Sequence, residues 1–204
     1  MNKKSIIKAT FVSMAIVAVL GFALHTNSIK LPITVNKHTQ FIAEMADDRV
    51  KAGYADNMFV GKIMKQLGYI QTDDGAGTQF EVAVVVNIKG DFIDTITVTN
   101  HGGYKNGVLY RSELESDLTL GSTYLLITRF FDNQNWTFPV FDGSTLISED
   151  TNLSIAELQA IAIKDERIVR MQDAYEHEIP DEELQEAYKN VDALNSFRLL
   201  YKLK

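Results

Sequence analysis

The sequence predicts a mainly β domain, a small barrel or sandwich of five strands, with two C-terminal helices behind it and an N-terminal signal or anchor helix in front. Three observations predict this. Phe80, Val82, Val84, Val86 and Ile88 place an apolar residue at every second position, a period that suits a strand and not a helix. Beyond Ser148 the apolar spacing lengthens to about 3.6 residues, the helical period. Before residue 25, a lysine-bearing start leads into an uncharged apolar run.

The N-terminal element comes first. Met1-Asn2-Lys3-Lys4 and Lys8 precede Ala9–Leu24, a basic region ahead of a hydrophobic one. Such a segment is addressed to a membrane, and lysines held inside place everything after about residue 25 outside. Gly21 and Ala23 suit a cleavage site. The run extended back through Ile6 and Ile7 is almost long enough to stay as a tilted anchor over residues 5–24. Residues 26–54 read as a spacer with a short helix at Gln40–Ala46.

The barrel is expected over residues 55–148. Met58–Met64 is the first strand, and Gly61 within it marks a bend or bulge. The stretch TDDGAGT, Thr72–Thr78, has turn chemistry and leads into the alternating strand. Gly90-Asp91 turns the chain tightly, and Ile93–Thr99 returns to complete a hairpin. After it, TVTNHGGYKNG (Thr97–Gly107) reads as a barrel corner, where Gly102 and Gly103 supply positive φ. Val108–Arg111 is a further apolar piece. Thr123–Phe131 is apolar on both faces and should be a strand covered on both sides. Asp132–Asn135 turns the chain and Trp136–Phe141 comes back.

Residues 149–204 are expected to be helical. Ser154 and Glu157 form a capping box. Leu158, Ile161, Ala162, Ile168, Val169 and Tyr175 fall on one arc of a helix, which Asp165 interrupts. Pro180 opens a second helix whose first-turn acids, Asp181, Glu182 and Glu183, complement its positive end. Leu184, Ala187, Tyr188 and Val191 give that helix its apolar stripe.

Phe59-Val60-Gly61-Lys62, Ile88-Lys89-Gly90 and Gly121-Ser122-Thr123-Tyr124-Leu125 occur in an order and spacing that resemble the netrin-like, tissue-inhibitor-of-metalloproteinase-like (NTR/TIMP-like) module. The resemblance runs from Ala55 to about Ser148, as a cysteine-less, bacterial-type variant. It implies an OB-type five-stranded Greek-key barrel in an extracytoplasmic protein. Inhibitor members begin with a cysteine whose amine and carbonyl chelate a protease zinc. Here Ala52-Gly53-Tyr54-Ala55 stands before the first strand, so only the fold and the outward location carry over.

Composition narrows the chemistry. The 204 residues carry a formal charge of −7, and losing the N-terminus would remove Lys3, Lys4 and Lys8 without any acid. An acidic chain is poorly suited to nucleic acid, which needs clustered cations. The absence of cysteine excludes disulfides, thiolate metal sites and a Cys nucleophile. His25, His38, His101 and His177 lie in unrelated segments without metal spacing, and the glycines beside His101 match no phosphate-binding motif. No metal or other cofactor is therefore expected.

Asp73-Asp74, Glu113/Glu115 and Glu182-Glu183 read as solvated acids in turns or a first helical turn, and Ser112, Ser122 and Ser144 lack a nucleophile elbow. Among the aromatics Tyr104, Tyr110, Phe130, Phe131, Trp136 and Phe138, most serve packing. Tyr104, Trp136, Phe138 and the neighbouring His101 are the candidate ligand-binding residues, since such barrels bind through one face and its loops. The expected function is a secreted or membrane-tethered binding protein for an extracytoplasmic protein or envelope component, without catalysis. Two alternatives stand beside it. One is an envelope hydrolase using acids of the Glu113–Asp117 and Asp142 loops, and the other a protease inhibitor acting through a loop.

Overall fold

The computed structural model describes residues 33–37, 46–72, 75–112, 117–131, 133–137 and 143–188. The expected signal or anchor helix over residues 1–25 lies outside them. Among the described residues no helix is long and apolar enough to cross a membrane.

The fold is mainly β, with eight strands among the described residues where five were expected: β1 (Ile33–Lys37), β2 (Asn57–Thr72), β3 (Gly75–Lys89), β4 (Thr95–Lys105), β5 (Val108–Ser112), β6 (Thr123–Phe131), β7 (Gln134–Thr137) and β8 (Ser144–Ser148). The order across the sheet is β1-β5-β4-β3-β2-β6-β7, with β8 also on β6. The additional strands β1, β5 and β8 are five residues each. Strands that short are held by a neighbour's backbone and leave little alternation of their own to read.

β2, β3 and β4 follow one another antiparallel, and β6 returns to lie beside β2. β7 pairs with β6 and then touches β4 in parallel at two residue pairs, Val98 with Asn135 and Thr99 with Trp136. The strands thus come back on themselves, but unevenly: a long β2–β3 ladder contrasts with that two-pair seam. The segment read as a corner is continuous strand. Before Gly102, β4 pairs with β3; from Gly102 it pairs with β5. Gly102 and Gly103 have φ of 101° and 151°, and the actual reversal falls at Asn106-Gly107, with φ of 52° and 78°.

Alternation along β2 and β6 divides the core. Phe59, Ile63, Phe80, Val82, Val98, Leu118, Tyr124 and Leu126 pack together on one side. Met58, Leu125 and Ile127 point the other way and pack against helices α1 (Asp48–Tyr54) and α3 (Glu166–Glu176) through Val50, Ala52, Met171 and Ala174. Val60 and Val85 do the same with α2 (Ile155–Ala162) through Leu158 and Ala162. This explains why β6 is apolar on both faces. Gly61 sits at a register shift of β2, and a Cβ there would lie 2.4 Å from Val82 Cγ1.

The arc read as one helix is two. Ser154 and Glu157 form the expected capping box, but the helix stops at Ala162 and Asp165 caps a new one, accepting from Arg167 N at 2.9 Å. The break resets the phase. Leu158, Ala162 and Ile168 are buried, Met171 and Ala174 join them, and Ile161, Val169 and Tyr175 face solvent. With α4 (Asp181–Tyr188), three helices follow the sheet among the described residues rather than two. Lys62 Nζ fastens the entry to α2 by donating to the carbonyls of Thr151 (2.9 Å) and Leu153 (2.8 Å).

Candidate functional site

The far ends of β2 and β4 build a cleft. β2 runs past the end of its β6 partner at Lys62 and carries Gln66 and Tyr69 beyond it. β3 contributes Thr78 and Phe80 opposite, β4 the run Asn100–Tyr104, and β5 Leu109, Tyr110 and Arg111. Asp117 and Leu118 complete a cleft of about 250 Å³. Its floor is apolar, since Phe80 and Leu118 belong to the inner core cluster, so the cleft opens directly above that core.

Gly103 of β4 makes this possible. A Cβ on Gly103 would lie 2.8 Å from Tyr69 Cδ1 and 3.0 Å from Thr78 Oγ1. Its absent side chain lets Tyr69 lie over β4 and meet Tyr104 edge to face, ring centroids 5.3 Å apart. Thr78 Oγ1 donates to the Gly102 carbonyl at 2.7 Å and fixes β3 against the same place. Gly103 therefore admits an aromatic ring from another strand. Three tyrosines, Tyr69, Tyr104 and Tyr110, share the lining with His101 and Arg111. Asp117 is the one carboxylate lining the cleft among the described residues, so a pair flanking a bond is not assembled there.

Of the candidate residues, His101 and Tyr104 line the cleft together. Trp136 stands behind His101, centroids 4.7 Å apart, and is buried, with its ring edge where a Gly77 Cβ would lie 2.8 Å away. It supports the lining without being part of it, and its buried Nε1 has no hydrogen-bond partner among the described residues. Phe138 lies outside the described residues, as do Asp73, Asp74, Glu113, Glu115 and Asp142. Phe130 and Phe131 are exposed at the end of β6, away from the cleft lining. Ser122 is buried, its carbonyl accepting from Ile63 N. No group of three or more His, Asp or Glu suited to a metal ion occurs among the described residues.

Gln66, Tyr69, Thr78 and Arg111 were not anticipated from sequence. The usable signal was Gly103: a glycine inside a strand vacates space for a side chain from elsewhere. No protein-family model matches the chain, and no curated protein matches it.

Proposed function

We propose that this chain is a binding protein displayed outside the cytoplasm, secreted or tethered by its N-terminal segment, and that it binds an envelope component or partner protein through the tyrosine-lined cleft without catalysing its turnover. The observation that carries the reading is the cleft, where aromatic rings, a guanidinium and an imidazole converge over an apolar floor while a single carboxylate lines it. The outward location rests on the lysines and apolar run before residue 25.

The barrel reading is of OB type. Three consecutive antiparallel strands, β2, β3 and β4, with β6 returned beside the first, follow the Greek-key order, and the β4–β7 contact supports closure. In such barrels the face of the second and third strands takes ligands, and these correspond to β3 and β4, which supply half the cleft. The NTR/TIMP-like resemblance is consistent with that arrangement.

Sedimentation of the purified chain with isolated cell envelope, beside a His101→Ala/Tyr104→Ala variant, tests the reading. Retention of the native chain and loss of the variant, with no soluble fragments released, is the expected outcome. Equal retention of both removes the cleft from the function. Steady release of fragments, abolished by Asp117→Asn, replaces binding with hydrolysis.

A further inference from the structure

Beyond Ile63, strand β2 has a strand partner on one side only among the described residues. β6 covers it over Asn57–Lys62, and Ile63 exchanges backbone hydrogen bonds with Gly121 and Ser122. From Met64 to Gln71 its sole strand partner among the described residues is β3. The opposite edge is a row of backbone donors and acceptors that matches another extended chain.

Two bulges shape this edge. The ladder with β3 skips Met64 and Leu67, which are 50% and 44% exposed. A bulge re-aims the extra side chain, so two apolar groups stand three residues apart on an open edge. Bulges also interrupt pairing, which confines a long ladder. Past the second one, Tyr69–Thr72 pairs with Gly75–Thr78 without a shift, leaving a short regular edge. Lys65 is the one charged residue from Met64 to Gln71. Gln66 and Tyr69 connect the edge to the cleft, where Arg111 has no ion-pair partner among the described residues and Asp117 is the opposing charge.

We infer that this edge accepts an extended, acidic segment of a partner polypeptide, its main chain adding as a strand along Tyr69–Gln71. Its carboxylates face Lys65 and Arg111, and its apolar side chains rest on Met64 and Leu67. The inference rests on the binding reading above and names the chemistry of the partner.

The probe is a capped ten-residue peptide alternating threonine and valine, with glutamate at two positions, added to the full chain. Hydrogen exchange and the anisotropy of a labelled copy are read together. Expected are slowed exchange of amides 64–71, loss of binding when alternate peptide nitrogens are methylated, and about tenfold weaker binding when lysines replace the glutamates. Lys65→Gln and Leu67→Asp should each weaken binding about tenfold at an unchanged melting temperature, since both side chains are exposed and glutamine places no like charge opposite Glu81.

Unprotected amides 64–71 at about 1 mM peptide, or equal binding of the methylated peptide, overturns the proposal. So does a self-associated chain in sedimentation that Leu67→Asp dissociates, which would put a second copy on the edge. If envelope retention depends on His101 and Tyr104 while the peptide fails, the inference falls and the binding reading stands; if both fail, both fall.

Discussion

Thr137 on β7 reaches across to Asn100 on β4, hydroxyl to amide oxygen at 2.8 Å, at a place where both residues are buried. Around it Gln79 Nε2 donates to Gln134 Oε1 at 2.7 Å, and His101 leans on Trp136. Side chains thus hold a seam that has two backbone residue pairs among the described residues. Replacing Thr137 with Val keeps the shape and removes the donor, at a cost of about 1 kcal/mol. Exchange of the amides of β7 and of Val98–Thr99 should accelerate while the β2–β3 ladder stays protected. Uniform acceleration, or none, contradicts a side-chain seam.

Gly61 and Val82 define a second prediction. A Cβ at Gly61 would lie 2.4 Å from Val82 Cγ1, and a β-branched side chain has little freedom to retreat. Gly61→Ala should cost about 1–3 kcal/mol in urea unfolding. Adding Val82→Ala should return part of that loss, a coupling that additive behaviour of the two changes would refute.

Acid sensitivity follows from Asp165. The Arg167 side chain hydrogen-bonds its carboxyl and holds it below the usual carboxylate range; partial burial opposes this, and the Arg167 backbone N–H adds to the lowering. A depressed folded value means the carboxylate stabilises above the unfolded value near pH 4 and stops doing so as pH falls through the folded one. Asp165→Asn should lose about 1 kcal/mol at pH 7, because the Arg167 side of the pair stays in contact with solvent, and should show a shallower decline below pH 4. Asp47 contributes in the same sense, since hydrogen bonds from Arg49 outweigh the burial that pushes it up, so the decline is reduced rather than abolished. Urea midpoints from pH 2 to 7 measure it, and parallel curves would count against the assignment.

Lys89 binds three elements at once. Its ammonium donates to the Ala52 carbonyl at 2.8 Å and to Glu178 Oε2 at 2.7 Å, with the Tyr175 ring 5.5 Å away. Lys89→Met should destabilise by about 1.5–3 kcal/mol, since a partly buried carboxylate and carbonyl lose a charged donor. Glu178→Gln should cost less, as an amide oxygen still accepts. Equal losses would show that charge, and not the hydrogen bond, is what matters.

The strands were readable wherever one face is buried and the other wet, as at Phe80 and Val82, and where both are covered, as at Leu125 and Leu126. Ser154 and Glu157 announced their helix because capping is local chemistry. What sequence concealed had tertiary causes. TDDGAGT reads as a turn, yet Gly75–Thr78 is strand, and Gly77 is there because the Trp136 ring occupies the space of its Cβ. Tyr69 belongs to the cleft only because β2 continues past β6, a length that Gly68 and the polar residues around it disguise. The helical break at Ile163–Asp165 was hidden because Asp165 looked like a flaw in one arc when it is the cap of the next helix.

Strand β2 has a further consequence. Met58, near its start, is clamped between α1 and α3, while Tyr69, eleven residues on, borders the cleft. An extended strand puts at most about 35 Å between them. The molecule therefore has a handle and a mouth joined by one rod of backbone. Resurfacing the mouth for a different guest leaves the handle's packing untouched, and a label fixed at the helical end reports from outside the contact zone.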